Sequence, residues 1–132
     1  MQLFSGTPYE YASVAPEGAL VLTAGACPLD PDGHVVAIGD HEGQAQQALE
    51  NLRAALAEAG SSFEQVLKTT VYVVATDLSE LVRTWNVVED AFAPSRPPST
   101  LLGVALLGYP DQLVEIEAIA VTRRDPRAAG RT

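Results

Sequence analysis

Two glutamates, Glu115 and Glu117, stand two residues apart in the run Leu113-Val114-Glu115-Ile116-Glu117-Ala118-Ile119-Ala120-Val121. In extended conformation such a run alternates its side chains between faces, so both carboxylates share one side about 7 Å apart. Leu113, Ile119 and Val121 lie on that same side. Val114, Ile116, Ala118 and Ala120 make the opposite face, wholly apolar and suited to being covered by helices. A carboxylate flanked by apolar side chains has its charged form disfavoured, which suits it to general acid–base work. A wet face carrying solubilising glutamates produces the same alternation, and periodicity alone leaves both readings open.

Other reactive side chains are few. Cys27 is the single cysteine, and Pro28 follows it directly. His34 and His41 are near in sequence, but nothing places either against the sulfur, so the expectation is a loop thiol without a role. One cysteine and two histidines are a poor donor set for a metal, and none is expected. Asp30-x-Asp32-Gly33 resembles the opening of a calcium loop but lacks the later ligands and the closing glutamate, which makes it a plain turn.

The elements that must hold Glu115 follow from composition and pattern. A chain of 132 residues with 47% hydrophobic content fits one domain with a real core. A single cysteine excludes an intrachain disulfide, and with no signal-like N-terminus the expected compartment is the cytoplasm. No apolar run approaches the roughly 20 residues that span a bilayer. The net charge of −9 divides unevenly, with 16 acidic against 4 basic residues in 1–122 and four arginines against Asp125 in 123–132. An acidic body repels phosphate backbones and argues against nucleic acid as a partner. The expected organisation is one domain over 1–122 followed by a flexible basic tail over 123–132.

Tyr11 to Val14 and Ala19 to Thr23 are β-type runs around Pro16-Glu17-Gly18, predicting a hairpin, and His34 to Ile38 is a candidate short strand. Asp40 is the expected N-cap of a helix whose Ala45, Ala48, Leu49, Leu52, Ala55, Leu56 and Ala59 form one apolar stripe, ended by Gly60. Val66 to Ala75 predicts a strand. Asp77 or Ser79 caps a second helix with Leu78, Leu81, Val82, Trp85, Val88 and Phe92 on its stripe, where Trp85 is expected as core. Pro94 to Pro98 ends it, and Ser99 to Leu107 and Leu113 to Thr122 are the last strands.

The result is an α+β domain, a sheet with two helices on one face. Ser99 to Leu107 is apolar on both sides, a pattern of strands buried on both faces. With no second helical layer, the uncovered face should meet another subunit, and a small-molecule site between subunits near Glu115 would follow.

Several segments taken together resemble the RidA/YjgF family of reactive intermediate deaminases. They are Leu20 to Gly25 with Cys27-Pro28-Leu29-Asp30-Pro31, Gln47 to Leu52 continuing to Ala59-Gly60-Ser61-Ser62, Val66 through Tyr72 to Val73, and Leu113 to Ala120. The resemblance spans about Tyr11 to Arg123. It implies a chorismate-mutase-like fold assembled as a homotrimer with three clefts between subunits, and hydrolysis of imines and enamines to carbonyl compounds and ammonia without metal or organic cofactor. By resemblance, Glu115 falls on the family's water-handling glutamate. Tyr11 matches a tyrosine that closes the cleft, Gly25 a glycine beside the pocket, and Ala24 stands where serine is common. Asn86 matches the family's asparagine, although a helix-surface or capping role suits it equally, and Thr100 lies where threonine or cysteine is near the substrate.

One position departs from the pattern. Deaminase-type members carry an arginine just ahead of the penultimate strand that grips the substrate carboxylate in a bidentate fork. Ungapped counting back from Glu115 puts Pro98 there, and proline has no donor to offer. Arg96, two residues earlier, reaches the cleft only if the loop bends differently. The expected function is therefore imine or enamine hydrolysis on an atypical substrate. The alternatives are a non-catalytic trimeric binder of small molecules and a pathway-specific catalyst for an imine, carbamate or enol intermediate. Ribonuclease activity, also associated with the family, is disfavoured by the acidic body.

Overall fold

The computed structural model describes residues 5–6, 8–10 and 17–122. The Tyr11 to Val14 arm of the expected hairpin, Tyr11 itself as a site residue, and the basic tail lie outside the described residues. Among those described, the order is β1 (Ala19–Leu22), α1 (His41–Glu58), a short 3-10 turn (Phe63–Gln65), β2 (Val66–Val74), α2 (Leu78–Phe92), β3 (Ser99–Val104) and β4 (Val114–Thr122). The four strands form one mixed sheet in the order β1-β4-β2-β3, with β4 antiparallel to both neighbours and β2 parallel to β3. The two helices pack on each other and on one sheet face.

Both helices begin and end where their local chemistry directs. The Asp40 carboxylate accepts from Gly43 N at 3.0 Å at the start of α1. At its end Gly60 takes φ +79°, and the N–H groups of Gly60 and Ser61 turn back to the carbonyls of Ala57 and Leu56. For α2 the cap is Asp77, not Ser79: Asp77 accepts from Glu80 N while Glu80 accepts from Asp77 N, a reciprocal capping box.

The α1 stripe supplies Ala45, Ala48, Leu49, Leu52 and Leu56 to the core, where they meet Val114, Ile116, Ala118 and Ala120 of β4 and Val71 and Val73 of β2. The alternation expected of β4 therefore holds, with Glu115, Glu117 and Ile119 on the uncovered face. Val121 is an exception: it is buried, against the backbone around Gly18, and its carbonyl accepts from Ser61 Oγ. Gln44 sits fully buried within the α1 stripe. Its amide donates to Asp111 O at 2.9 Å and accepts from Leu113 N at 2.7 Å, fixing the chain as it enters β4.

Two strand expectations shorten. The strand expected over Ser99 to Leu107 pairs only to Val104, because its partner β2 ends at Val74. His34 to Ile38 forms no strand; one bridge, Leu29 to Val35, is made before Ala37 adopts φ 51°. Asp30 makes the plain turn expected of it, accepting from the N–H groups of Asp32 and His34. The uncovered face carries Leu20, Leu22, Leu102 and Ile119, and Leu22 is 72% exposed. None of the helices of the described residues is long and apolar enough to cross a membrane.

Candidate active site

Glu115 is positioned by an irregularity in its neighbour. Beyond β1, Thr23 N donates to Ala118 O and Ala26 exchanges both backbone hydrogen bonds with Ile116. Ala24 and Gly25 therefore face Glu117 alone, two residues against one, as in a β-bulge. The bulge brings the Gly25 backbone over the Glu115 side chain. A Cβ at position 25 would lie 2.6 Å from Glu115 Cγ and closer still to its carboxylate. Only glycine fits there with Glu115 in this rotamer.

The Glu115 carboxylate has two donors on one oxygen. Gln112 Nε2 donates to Oε1 at 3.1 Å and the Cys27 thiol donates to the same oxygen at 3.2 Å. Burial, followed by the neighbouring Glu115 carboxylate, pushes the Cys27 thiol up to about 11, so the sulfur keeps its proton at neutral pH. The loop carrying Cys27 is tied to α1 by Asn51, whose amide donates to the carbonyls of Cys27 at 2.8 Å and Leu29 at 3.0 Å. On the same sheet face Tyr72 donates to Glu117 at 2.6 Å, and that hydrogen bond, aided by burial, raises the phenol above its ordinary value. Lys68 Nζ donates to Thr100 Oγ1 at 3.1 Å.

The sequence-expected site residues fall into separate places within one chain. Ala24, Gly25 and Glu115 come together at the β1–β4 end of the sheet. Thr100 is on β3, two strands away and displaced by one pair of residues from the register position of Glu115, roughly 10 Å across the sheet. Pro98 leads into β3, its carbonyl accepting from Thr69 N, and the exposed Arg96 accepts from Glu10 N through its own carbonyl. Asn86 is exposed on α2, on the helical side of the sheet, away from Glu115. Thr100 instead lines a cavity of about 490 Å³ beside β3, the outer strand of the described sheet, with Pro8, Tyr9, Trp85, Ser99 and Leu101. Trp85 thus both packs against the core and faces this cavity.

Cys27 and Gln112 were not legible as partners of Glu115. Eighty-eight residues separate Cys27 from Glu115, and Gln112 reads as a turn residue. His41 does not approach the thiol: its Nε2 lies 2.8 Å from Val74 O and 3.3 Å from Glu80 Oε2, at the junction of α1, β2 and α2. Asp30, Asp32 and His34 bring ligand-type atoms together on an exposed turn, but the Asp30 carboxylate is engaged by backbone N–H groups.

Fold and site together define a small α+β protein that layers two helices on one face of a mixed sheet and holds a fixed carboxylate on the other. Residues 5–122 match the family profile described as endoribonuclease L-PSP. The chain belongs to this family, the RidA/YjgF group. It is 39% identical over 110 residues to the 2-iminobutanoate/2-iminopropanoate deaminase of Salmonella typhimurium, covering 80% of this chain and 82% of that one. A RutC family protein of Pyrococcus abyssi is 34% identical over 110 residues, covering 83% and 84%. Among solved structures, the Rid family protein YyfB of Yersinia pestis, a protein of unknown function, superimposes with a TM-score of 0.83 at 27% identity, covering 90% and 92%.

Proposed function

We propose that this protein hydrolyses reactive imines or enamines to a carbonyl compound and ammonia, with Glu115 moving the proton. The observation that carries this reading is the fixed placement of the Glu115 carboxylate, set beneath the Gly25 bulge on a sheet face that no helix of the described residues covers. The similarity to a deaminase of 2-imino acids supports the reaction class. Glu115 takes a proton from water as the water oxygen bonds to the imine carbon, the C=N electron pair moves to nitrogen, and Glu115 passes that proton to nitrogen, giving a neutral carbinolamine. Glu115 then takes the hydroxyl proton of the carbinolamine and delivers it to nitrogen as the C–N bond breaks, which releases ammonia and leaves the carbonyl. Water and imine are consumed in equal number, and no oxidant or reductant is needed.

A homotrimer completes the site in this reading. Glu115 and Gly25 lie at one end of the sheet and the Thr100–Trp85 cavity at the opposite edge, so a neighbouring copy can bring the two together across the apolar uncovered face. Pro98 stands where the resemblance expects the carboxylate fork, and its carbonyl is committed to Thr69 N. The favoured substrate is therefore an imine or enamine without an α-carboxylate. The same proline favours a second reading, a trimeric small-molecule binder without chemistry.

The experiment generates imines in situ with an amino-acid or amine oxidase and follows their loss with and without the protein. Substrates with and without an α-carboxylate are compared, and Glu115→Gln serves as control. Acceleration that disappears in Glu115→Gln by about 10²–10⁴-fold supports the hydrolase. Saturable binding of these compounds or their carbonyl products, without acceleration, favours the binder.

A further inference from the structure

The geometry points to Cys27 and Gln112 as positioning residues that lock Glu115 through Oε1 and reserve Oε2 for the proton-moving step. This rests on the hydrolase reading and adds to it which oxygen works and what aims it. Oε1 receives two donors, Gln112 Nε2 at 3.1 Å and the Cys27 thiol at 3.2 Å, as many as its lone pairs number. Among the described residues no donor reaches Oε2. No buried side-chain oxygen there lacks a partner either, so Oε2 keeps contact with solvent. The missing side chain of Gly25 makes room for this same oxygen, which fills the place a Cβ would take. A water molecule that loses its proton to Glu115 therefore meets Oε2.

Both anchors are themselves held. Gln112 is only 3% exposed, and its amide cannot flip. Its oxygen accepts from Tyr109 N at 3.1 Å and its nitrogen donates to Val114 O at 3.1 Å as well as to Glu115. A reversed amide would set oxygen against two acceptors. The Cys27 backbone is tied to α1 through Asn51, so the thiol is presented from a fixed loop. Neither residue needs to touch the substrate; each acts through Glu115.

The test uses the full-length chain with two readouts. In imine hydrolysis, Gln112→Leu and Cys27→Ala are each expected to lower kcat roughly 10-fold or more, with KM unchanged, since misaiming a reacting group by a fraction of an ångström has effects of that order. Cys27→Ser, whose hydroxyl can donate to the same oxygen, is expected to recover most of the loss. Wild-type kcat in both Gln112→Leu and Cys27→Ala, with Glu115→Gln inactive, would overturn the positioning role while leaving the hydrolase intact. The second readout needs no substrate: alkylation of Cys27 by iodoacetamide at pH 8.5 should run roughly 10-fold faster in Glu115→Gln, one pH unit of thiol acidity being a factor of ten. An unchanged alkylation rate overturns the thiol–carboxylate lock even if the wild-type protein hydrolyses no imine.

Discussion

Gly25 and Glu115 share one volume: the space a side chain would take at position 25 is filled by the Glu115 carboxylate, whose Cδ lies 2.5 Å from where that Cβ would be. The contact depends on the two-against-one bulge at Ala24-Gly25, which moves the backbone over the neighbouring strand. The glycine that the resemblance set beside a pocket thereby becomes a steric condition on the candidate catalytic rotamer.

Gly25→Ala should expel Glu115 from this position without unfolding the protein, because the displaced group is the end of a flexible side chain beside an uncovered face. The expected result is a loss of imine hydrolysis of about 10²-fold with little change in the thermal midpoint. Kinetics and a thermal melt on one preparation check it. Full activity would show that the reaction does not need this rotamer.

Leu22→Asp should dissociate the proposed trimer. Leu22 is 72% exposed on a face that also shows Leu20, Leu102 and Ile119, and a charge placed there would be desolvated in any assembly covering it. Light scattering at micromolar concentration should report a trimer for wild type and a smaller species for the variant. A wild-type monomer would refute the assembled cleft.

Cys27 should resist thiol reagents at neutral pH and label increasingly as pH approaches about 11. The sign follows from the raised folded value. The unfolded chain releases this proton first, near 9.0, so the contribution of the thiol to stability is intact below that pH. It declines as pH climbs through the folded value. Rapid labelling at pH 7 in the native protein would contradict the half-buried thiol–carboxylate pair.

Gln44→Leu should destabilise the fold by about 2–5 kcal/mol, since it strands the Leu113 N–H and the Asp111 carbonyl where the amide now serves both. Chemical denaturation measures the loss. Leu52→Ala, a cavity at a fully buried site, should fall in a similar range and serves as reference. A neutral Gln44→Leu would mean that water replaces the amide.

Much of the fold was legible because its signals are local. The α1 stripe, the Asp40 cap and the Gly60 stop act over one or two turns, and the face alternation of Val114 to Ala120 follows from the period of a strand. The apolar surplus of Ser99 to Leu107 also announced an uncovered face, although that strand stops at Val104 once β2 no longer offers a partner. Gln44 was hidden because a glutamine inside an apolar helix stripe has no local partner to declare its role.

By itself the sequence determined the two helices and the longer strands, the apolar and acidic faces of the last strand, and the family, because these depend on short-range periodicity and residues in a recognisable order. Only the tertiary structure decided which groups meet Glu115. Cys27 and Gln112 reach it from a distant loop and an adjoining turn, and Gly25 through a bulge. Asn86, Arg96, Pro98 and Thr100 are held elsewhere in the same chain. Contacts of that kind depend on strand order and register, which no local pattern of side chains encodes.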